Sequence, residues 1–291
     1  ERFVFRKIKL IYKFISQTKA TKREEFYTNE ILPVTTIEEV QEDVLQWADE
    51  RKKEMDRLQN NEQFRKEFLM NVAHELKTPI FAAQGYIETL LDGALEDEKV
   101  SHLFLQKASK SIDRLSELVK DLDEISRIES NQLVLHKTSF VIQDLLREVF
   151  EELRFKSDQK HIKLSIKKGC EQDVLAFADK AKIKQVLVNL VENSINYGKH
   201  DGETTAGIYI VDAKQCFIEI TDNGMGIAEE HIPRLFERFY RTDAARSRNA
   251  GGSGLGLAIV KHIIEAHNGT VQCRSKQDVG TSFAFTLDRN K

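Results

Sequence analysis

From Ile37 to about Leu91, apolar residues recur every three or four positions. Ile37, Val40, Val44, Trp47, Met55 and Leu58, then Phe64, Phe68 and Val72, carry the beat. This spacing predicts one long amphipathic helix. The gap around Arg51 reads as a stutter in a heptad repeat. The seam is narrow and charge surrounds it, so it calls for a partner helix. Up to about residue 60 the chain offers none, and the expected partner is the same helix in a second copy. Asp92-Gly93 ends the helix, and residues 92–99 make a turn. A second helix is predicted from about Lys99 to Ser130, with Leu105, Ala108, Ile112, Leu115, Val119, Leu122 and Ser126 on its seam. The two helices form an antiparallel hairpin, and two hairpins form a four-helix bundle in a homodimer.

At Leu133 the texture changes. Short alternating segments predict strands at Leu133–Lys137, His161–Lys167, Ile208–Val211 and Gln215–Thr221. Helical spacing returns at Ile142–Ser157, Lys180–Tyr197 and Leu255–His267, the last stopped by Asn268-Gly269. A closing hairpin pairs Thr270–Lys276 with Thr281–Asp288. The expected fold is thus a helical hairpin followed by a two-layer α/β sandwich.

Composition narrows the class. The formal net charge of -3 over 291 residues argues against a nucleic-acid partner. Cys170, Cys216 and Cys273 lack metal-ligand spacing and read as reduced core residues. No apolar run approaches the roughly 18 residues that span a bilayer. Residues 1–20, however, interleave Arg2, Arg6, Lys7, Lys9 and Lys13 with Phe3, Phe5, Ile8, Leu10 and Ile11. Such a basic amphipathic arm suits the cytoplasmic face of a membrane, just after a spanning helix. The expectation is the cytoplasmic portion of an inner-membrane protein. The domain order that follows is an arm and connector over 1–36, a coiled-coil helix over 37–60, the hairpin over 61–131 and the sandwich over 132–291.

Candidate chemistry falls on both parts. In Asn71–Pro79, His74 stands beside Glu75. A neutral, exposed imidazole can attack a phosphorus atom while a neighbouring carboxylate holds its tautomer and takes its proton. Thr78 lies one turn on, on the same face, where its hydroxyl can position water. Pro79 should bend or loosen the helix there. Further along, Asn189, Asn193 and Asn196 share a helix face at i, i+4 and i+7, and amide oxygens suit Mg²⁺. Asp222-Asn223-Gly224-Met225-Gly226 follows a strand, so its carboxylate can accept from an exocyclic amine while the glycines let backbone approach a ligand. Gly251-Gly252-Ser253-Gly254-Leu255-Gly256-Leu257 opens a helix and offers free N–H groups to phosphate. It comes late in its domain, which rules out a dinucleotide fold. Between these lies Ile227–Ala250, a candidate lid with Phe236 and Phe239 as anchors and Arg238, Arg241, Arg246 and Arg248 to reach phosphates. Gly280-Thr281 closes the series.

Taken together, these strings resemble the sensor histidine kinases of two-component systems over roughly residues 40–290. The string around His74 resembles their H box, and Asn189–Tyr197 the N box. Asp222–Gly226 is similar to the G1 box, Phe236–Phe239 to the F box, Gly252–Gly256 to the G2 box and Gly280-Thr281 to the G3 box. The subgroup most resembled is the phosphate-sensing, PhoR-like kinases. The resemblance implies a dimeric phosphoacceptor hairpin and a Bergerat-type ATP-binding sandwich, as in Hsp90-, MutL- and gyrase-like ATPases.

The resemblance also assigns roles. His74 would be the phosphoacceptor, Glu75 its base, and Thr78 a support for dephosphorylating the partner. Asn189 and Asn193 would hold Mg²⁺, Asp222 would read adenine, and Tyr197 would lie against the nucleotide. Gly224, Gly226, Gly252, Gly254, Leu255, Gly256 and Thr281 would shape the ATP site, with Phe236 and Phe239 in the lid. Arg246 or Arg248 would meet the terminal phosphates. The implied activity is autophosphorylation of His74 by ATP, transfer to an aspartate of a response regulator receiver domain, and phosphatase action toward it. One departure stands out: the family often carries lysine where this chain has Asn196, and Lys199 is the candidate substitute. The implied rivals are a plain ATPase of the same fold, disfavoured by the amide at Asn189 where such enzymes carry a carboxylate, and a kinase-dead scaffold or phosphatase.

Overall fold

A computed structural model describes residues 37–129, 134–242 and 253–289, so the basic arm over 1–36 lies outside the described residues. The chain divides into two compact units, Glu1–Glu67 and Phe68–Lys291. Helix α1 runs Ile37–Leu91, 55 residues. In the first unit its described side chains are held by local pairs such as Arg51–Glu54 at 2.8 Å and Lys53–Asp49 at 2.7 Å. Such exposed pairs contribute only about 0.3–0.5 kcal/mol each. Leu45, Met55 and Leu58 stay exposed. Among the described residues, no helix is long and apolar enough to cross a membrane.

In the second unit α1 continues through Pro79 without interruption. The expected loosening therefore does not end the helix. Pro79 lacks the N–H that would bond the Glu75 carbonyl one turn back. Its ring is buried, and that packing holds the turn. Gly93, at φ 118°, reverses the chain. Helix α2 (Glu98–Glu129) starts one residue earlier than its periodicity suggested. The reason is a local cap: the Asp97 carboxylate accepts from the Lys99 and Val100 N–H groups at 3.0 and 3.3 Å. Tyr86 meets Phe104 across the hairpin at 5.6 Å. Ala83, Leu90, Ala108 and Leu118 fill it.

The sandwich follows as β1 (Thr138–Val141), α3 (Ile142–Asp158), β2 (Lys163–Ile166), β3 (Leu175–Ala178), α4 (Lys180–Tyr197), β4 (Glu203–Ile210), β5 (Gln215–Asp222), α5 (Gly256–Ala266), β6 (Val271–Lys276) and β7 (Gly280–Asp288). A 3-10 turn, Glu229–Arg234, lies within the candidate lid. The main sheet has the order β2-β4-β5-β7-β6, parallel only at β2–β4. Alternation on β5 and β7 turns Cys216, Ile218 and Ile220, with Phe283, Phe285 and Leu287, toward the helices, although Ala284 of β7 is buried as well. There they meet Leu187, Leu190 and Val191 of α4 and Ile259 and Ile263 of α5.

Two strand expectations are corrected. Pairing begins at Thr138, opposite Ala178, and the described residues 134–137 form no strand; the alternation of Leu133 and Leu135 was misleading. Strand β3 was not anticipated. Its fully buried residues are the small Ala176 and Ala178, while the larger Leu175 and Phe177 face outward. Its hydrophobic pattern is therefore inverted relative to burial.

Candidate functional site

Helix α4 carries the asparagine face. Its start is fixed by Asp179, whose Oδ1 accepts from the Ala181 and Lys182 N–H groups at 3.1 and 3.2 Å while Oδ2 accepts from the His136 N–H at 3.0 Å. Burial raises the Asp179 pKa, but these three N–H donors outweigh it and the net shift is downward. With the helix anchored, Asn189, Asn193, Asn196 and Tyr197 line one side of a cavity of about 810 Å³. Asp222 and Gly226 line it from the end of β5, Gly254 and Gly256 from the start of α5, and Thr281 from β7.

Asp222 is held by two backbone donors. Its Oδ1 accepts from Gly224 N at 2.8 Å and Thr281 N at 3.3 Å. Burial pushes this carboxyl above the ordinary carboxylate range, with the two N–H groups opposing. Gly224 thus supports Asp222 and does not itself line the cavity. At Gly226, φ +67°, a Cβ would stand 2.0 Å from the Lys276 carbonyl oxygen. At Gly256 a Cβ would lie 3.3 Å from Asn189 Oδ1, so this glycine keeps open the approach to that amide.

Several expected site residues are not on the cavity wall. Phe236 packs edge-on against Phe283, centroids 6.3 Å apart. Phe239 is buried at φ 61° against Phe68 of α1, at 5.7 Å. Leu255 is fully buried in the core. Lys199 donates to the Asp278 carbonyl at 2.8 Å, in the β6–β7 turn, and is not on the cavity wall. Gly252, Arg246 and Arg248 lie outside the described residues.

The hairpin completes the cavity, which the motifs did not indicate. Asp113, Arg114, Glu117 and Asp121 of α2 form its opposite wall. In the sequence Asp113, Glu117 and Asp121, four residues apart, and Arg114 beside them read as an ordinary solvated helix face. Ser253 Oγ donates to Asp121 Oδ2 at 2.8 Å. Burial raises the Asp121 pKa, and the Ser253 hydroxyl partly offsets this. Ile125 of α2 is fully buried, and Phe68 and Val72 of α1 pack against the sandwich core. Lys182 pairs with Glu124 across the same junction.

His74 is exposed and is not on the cavity wall. Glu75 is half-buried and pairs with Arg114 Nη2 at 3.5 Å. The Thr78 hydroxyl donates to the His74 carbonyl at 3.2 Å.

An exposed histidine on a two-helix hairpin, docked on a sandwich with an Asn- and Gly-lined cavity, fits the class of phosphoacceptor hairpins joined to an ATP-binding domain. Comparison with known proteins agrees. Residues 64–131 match the His Kinase A (phospho-acceptor) domain, and residues 178–291 match the histidine kinase-, DNA gyrase B- and HSP90-like ATPase family. The chain is 33% identical to the sensor histidine kinase WalK of Bacillus subtilis over 227 residues, covering 78% of this chain and 37% of that protein. It is 34% identical to the sensor histidine kinase YclK of the same organism over 241 residues, 82% of this chain and 50% of that protein. Among solved structures, histidine kinase ThkA in complex with response regulator protein TrrA superposes with a TM-score of 0.63 at 26% identity, covering 84% of this chain and 66% of that one. The chain belongs to the two-component sensor histidine kinases. It spans half or less of the length of these two curated relatives.

Proposed function

We propose that the chain phosphorylates its own His74 from ATP and passes the phosphoryl group to an aspartate of a response regulator, which it also dephosphorylates. The observation that carries this reading is the pairing, within one compact unit, of an exposed His74 beside a half-buried Glu75 with a cavity that has the acid Asp222 at one side and the glycine-opened α5 at another.

In this reading Asp222 accepts a hydrogen bond from the adenine amine. The N–H groups at the start of α5 face the phosphates. Asn189 and Asn193 suit Mg²⁺, since they offer neutral oxygens one turn apart on the cavity wall. When bound, Mg²⁺ would neutralise charge on the phosphate chain. Among the described residues no group of three His, Cys, Asp or Glu side chains is placed to hold a metal. An ion held partly by water and phosphate needs none. Glu75 takes the proton that His74 loses on attack, and Thr78 serves the phosphatase step. Positioning and charge neutralisation carry most of the rate. Because His74 lies off the cavity wall, transfer requires the sandwich to move relative to an acceptor histidine.

The exposed Leu45, Met55 and Leu58 of α1 support a homodimer through the 37–60 seam. Exposed Ile80, Phe81 and Leu91 support receiver docking below His74. The ThkA complex shows such a partnership for a similar protein. The basic arm supports attachment at the cytoplasmic face of a membrane.

The test is incubation with γ-labelled ATP and Mg²⁺. An acid-labile, base-stable label that His74→Gln abolishes, with ATP binding kept, is the expected result. Label retained in His74→Gln refutes the assignment.

A further inference from the structure

Arg114 stands at a junction that the roles above leave unused. It lies on α2 with its guanidinium 3.5 Å from Glu75 Oε2, and the same residue lines the cavity. Both side chains are partly buried, at 36% and 23% exposure, so the pair is less screened than the surface pairs of α1. Asp121, tied to Ser253 at the start of α5, lies seven residues further along α2. At the helical rise this is roughly 10 Å, so the α2 wall runs from the α5 start to the acid beside His74.

That wall carries both signs: Lys110 precedes Asp113, Glu117 and Asp121, and elsewhere on the cavity stand Glu192, Lys156 and Arg241. Among the lining cations, Arg114 pairs with the acid beside His74. A phosphate chain there needs cations. An arginine fork binds carboxylate or phosphate equally well, but its face toward one is taken from the other.

We propose that Arg114 is a positioning residue that exchanges Glu75 for the terminal phosphate of bound ATP. Without ATP, the guanidinium holds the Glu75 carboxylate toward α2. With ATP, it turns to the terminal phosphate, and Glu75 is released to the His74 imidazole. The imidazole gains its proton acceptor only when a phosphoryl donor is present. The inference rests on the reading of Glu75 as the base. In-line transfer requires the terminal phosphate to face the acceptor side, and Arg114 marks that side of the cavity.

The test uses the whole chain and the variants Arg114→Gln, Arg114→Lys and Glu75→Gln, plus the double variant Arg114→Gln/Glu75→Gln. ATP and ADP affinities come from displacement of a fluorescent nucleotide, and His74 labelling is timed at saturating ATP. Glutamine is a good helix former at this partly exposed site, so the fold should persist. Losing a charged hydrogen bond weakens ATP binding about tenfold, while ADP binding changes less than about threefold. Arg114→Lys recovers part of the ATP affinity, because it restores the charge without the fork. The labelling rate at saturating ATP falls in Arg114→Gln only as far as the phosphate loses its guanidinium, since Glu75 is then free in any case. Glu75→Gln tightens ATP binding, because Arg114 has no carboxylate to leave, and this gain is absent in the double variant. Equal losses for ATP and ADP, unchanged ATP affinity in Arg114→Gln, or an ATP affinity that Glu75→Gln leaves unchanged would overturn the proposal. Full labelling by Glu75→Gln alone would instead refute Glu75 as the base, a failure distinct from that of the ATP-over-ADP discrimination.

Discussion

Replacing Asp222 by asparagine separates nucleotide recognition from folding. In the native site both backbone donors, Gly224 N–H and Thr281 N–H, fall on Oδ1. An asparagine that keeps its oxygen on these donors preserves them, but it then presents an NH₂ group to the cavity. The opposite flip sets NH₂ against two N–H donors and leaves both unpaired in a buried turn. The first orientation is therefore favoured, and in it the acceptor for the adenine amine is lost. A hydrogen bond to a charged group contributes about 1.5–3 kcal/mol, which corresponds to roughly 10- to 150-fold in Kd. Stability should change by less than about 1 kcal/mol, since the bonds within the turn survive and a buried charge is removed. Calorimetric titration with ATP and with inosine triphosphate, which lacks the exocyclic amine, reads the effect. The native chain should prefer ATP, and Asp222→Asn should lose that preference, because its NH₂ group suits the inosine carbonyl and not the adenine amine. Urea denaturation provides the stability control. ATP affinity within threefold of native, or equal weakening of both nucleotides, would refute the recognition role of this carboxylate.

Two glycines make a matched pair. Gly226→Ala must take a left-handed backbone, at about 1–2 kcal/mol, and its Cβ would meet the Lys276 carbonyl oxygen at 2.0 Å. Urea denaturation should show a loss above about 2 kcal/mol, whereas Gly85→Ala, within α1 and with nothing within 4 Å, should gain up to about 1 kcal/mol. His267 sets a pH dependence. Its Nε2 accepts from the Asp179 N–H at 3.0 Å and its Nδ1–H donates to the Ile263 carbonyl at 2.8 Å, so the buried ring is neutral, and burial lowers its pKa below 6.5. The unfolded chain then binds the extra proton first. This contribution is complete above about pH 6.5 and is lost as pH falls toward the lower folded value. A native-minus-His267→Gln difference in urea midpoint that does not narrow on acidification through this window would count against it.

Local chemistry explains what was legible in the chain. The bounds Lys180–Tyr197 of α4 follow from its periodicity and from the Asp179 cap, both encoded within a few residues. The turn at Gly93 and the stop at Asn268-Gly269 are equally local. Asn189, Asn193, Asp222, Gly226, Gly254 and Gly256 meet on one cavity because each sits at a helix face, strand end or helix start that its own neighbours specify.

Other features depended on distant partners. Strand β3 has four residues with its small side chains inward, and only pairing with β1 makes it a strand. Phe239 was expected in the lid and Leu255 in the glycine-rich helix opening, but packing against Phe68 and the core decided their place. Lys199 had the right charge near the right helix, and the β6–β7 turn drew it to the Asp278 carbonyl. The charged wall of α2 and the Glu75–Arg114 pair are the clearest case. Charges spaced by three and four residues look alike whether they face water or a ligand cavity. Docking of the hairpin through Phe68, Val72 and Ile125 decided which of them face the cavity. Helix periods and caps depend on neighbours a few residues away and can be read along the chain. Which polar face meets which cavity depends on contacts between residues far apart in sequence, and only the folded chain brings those together.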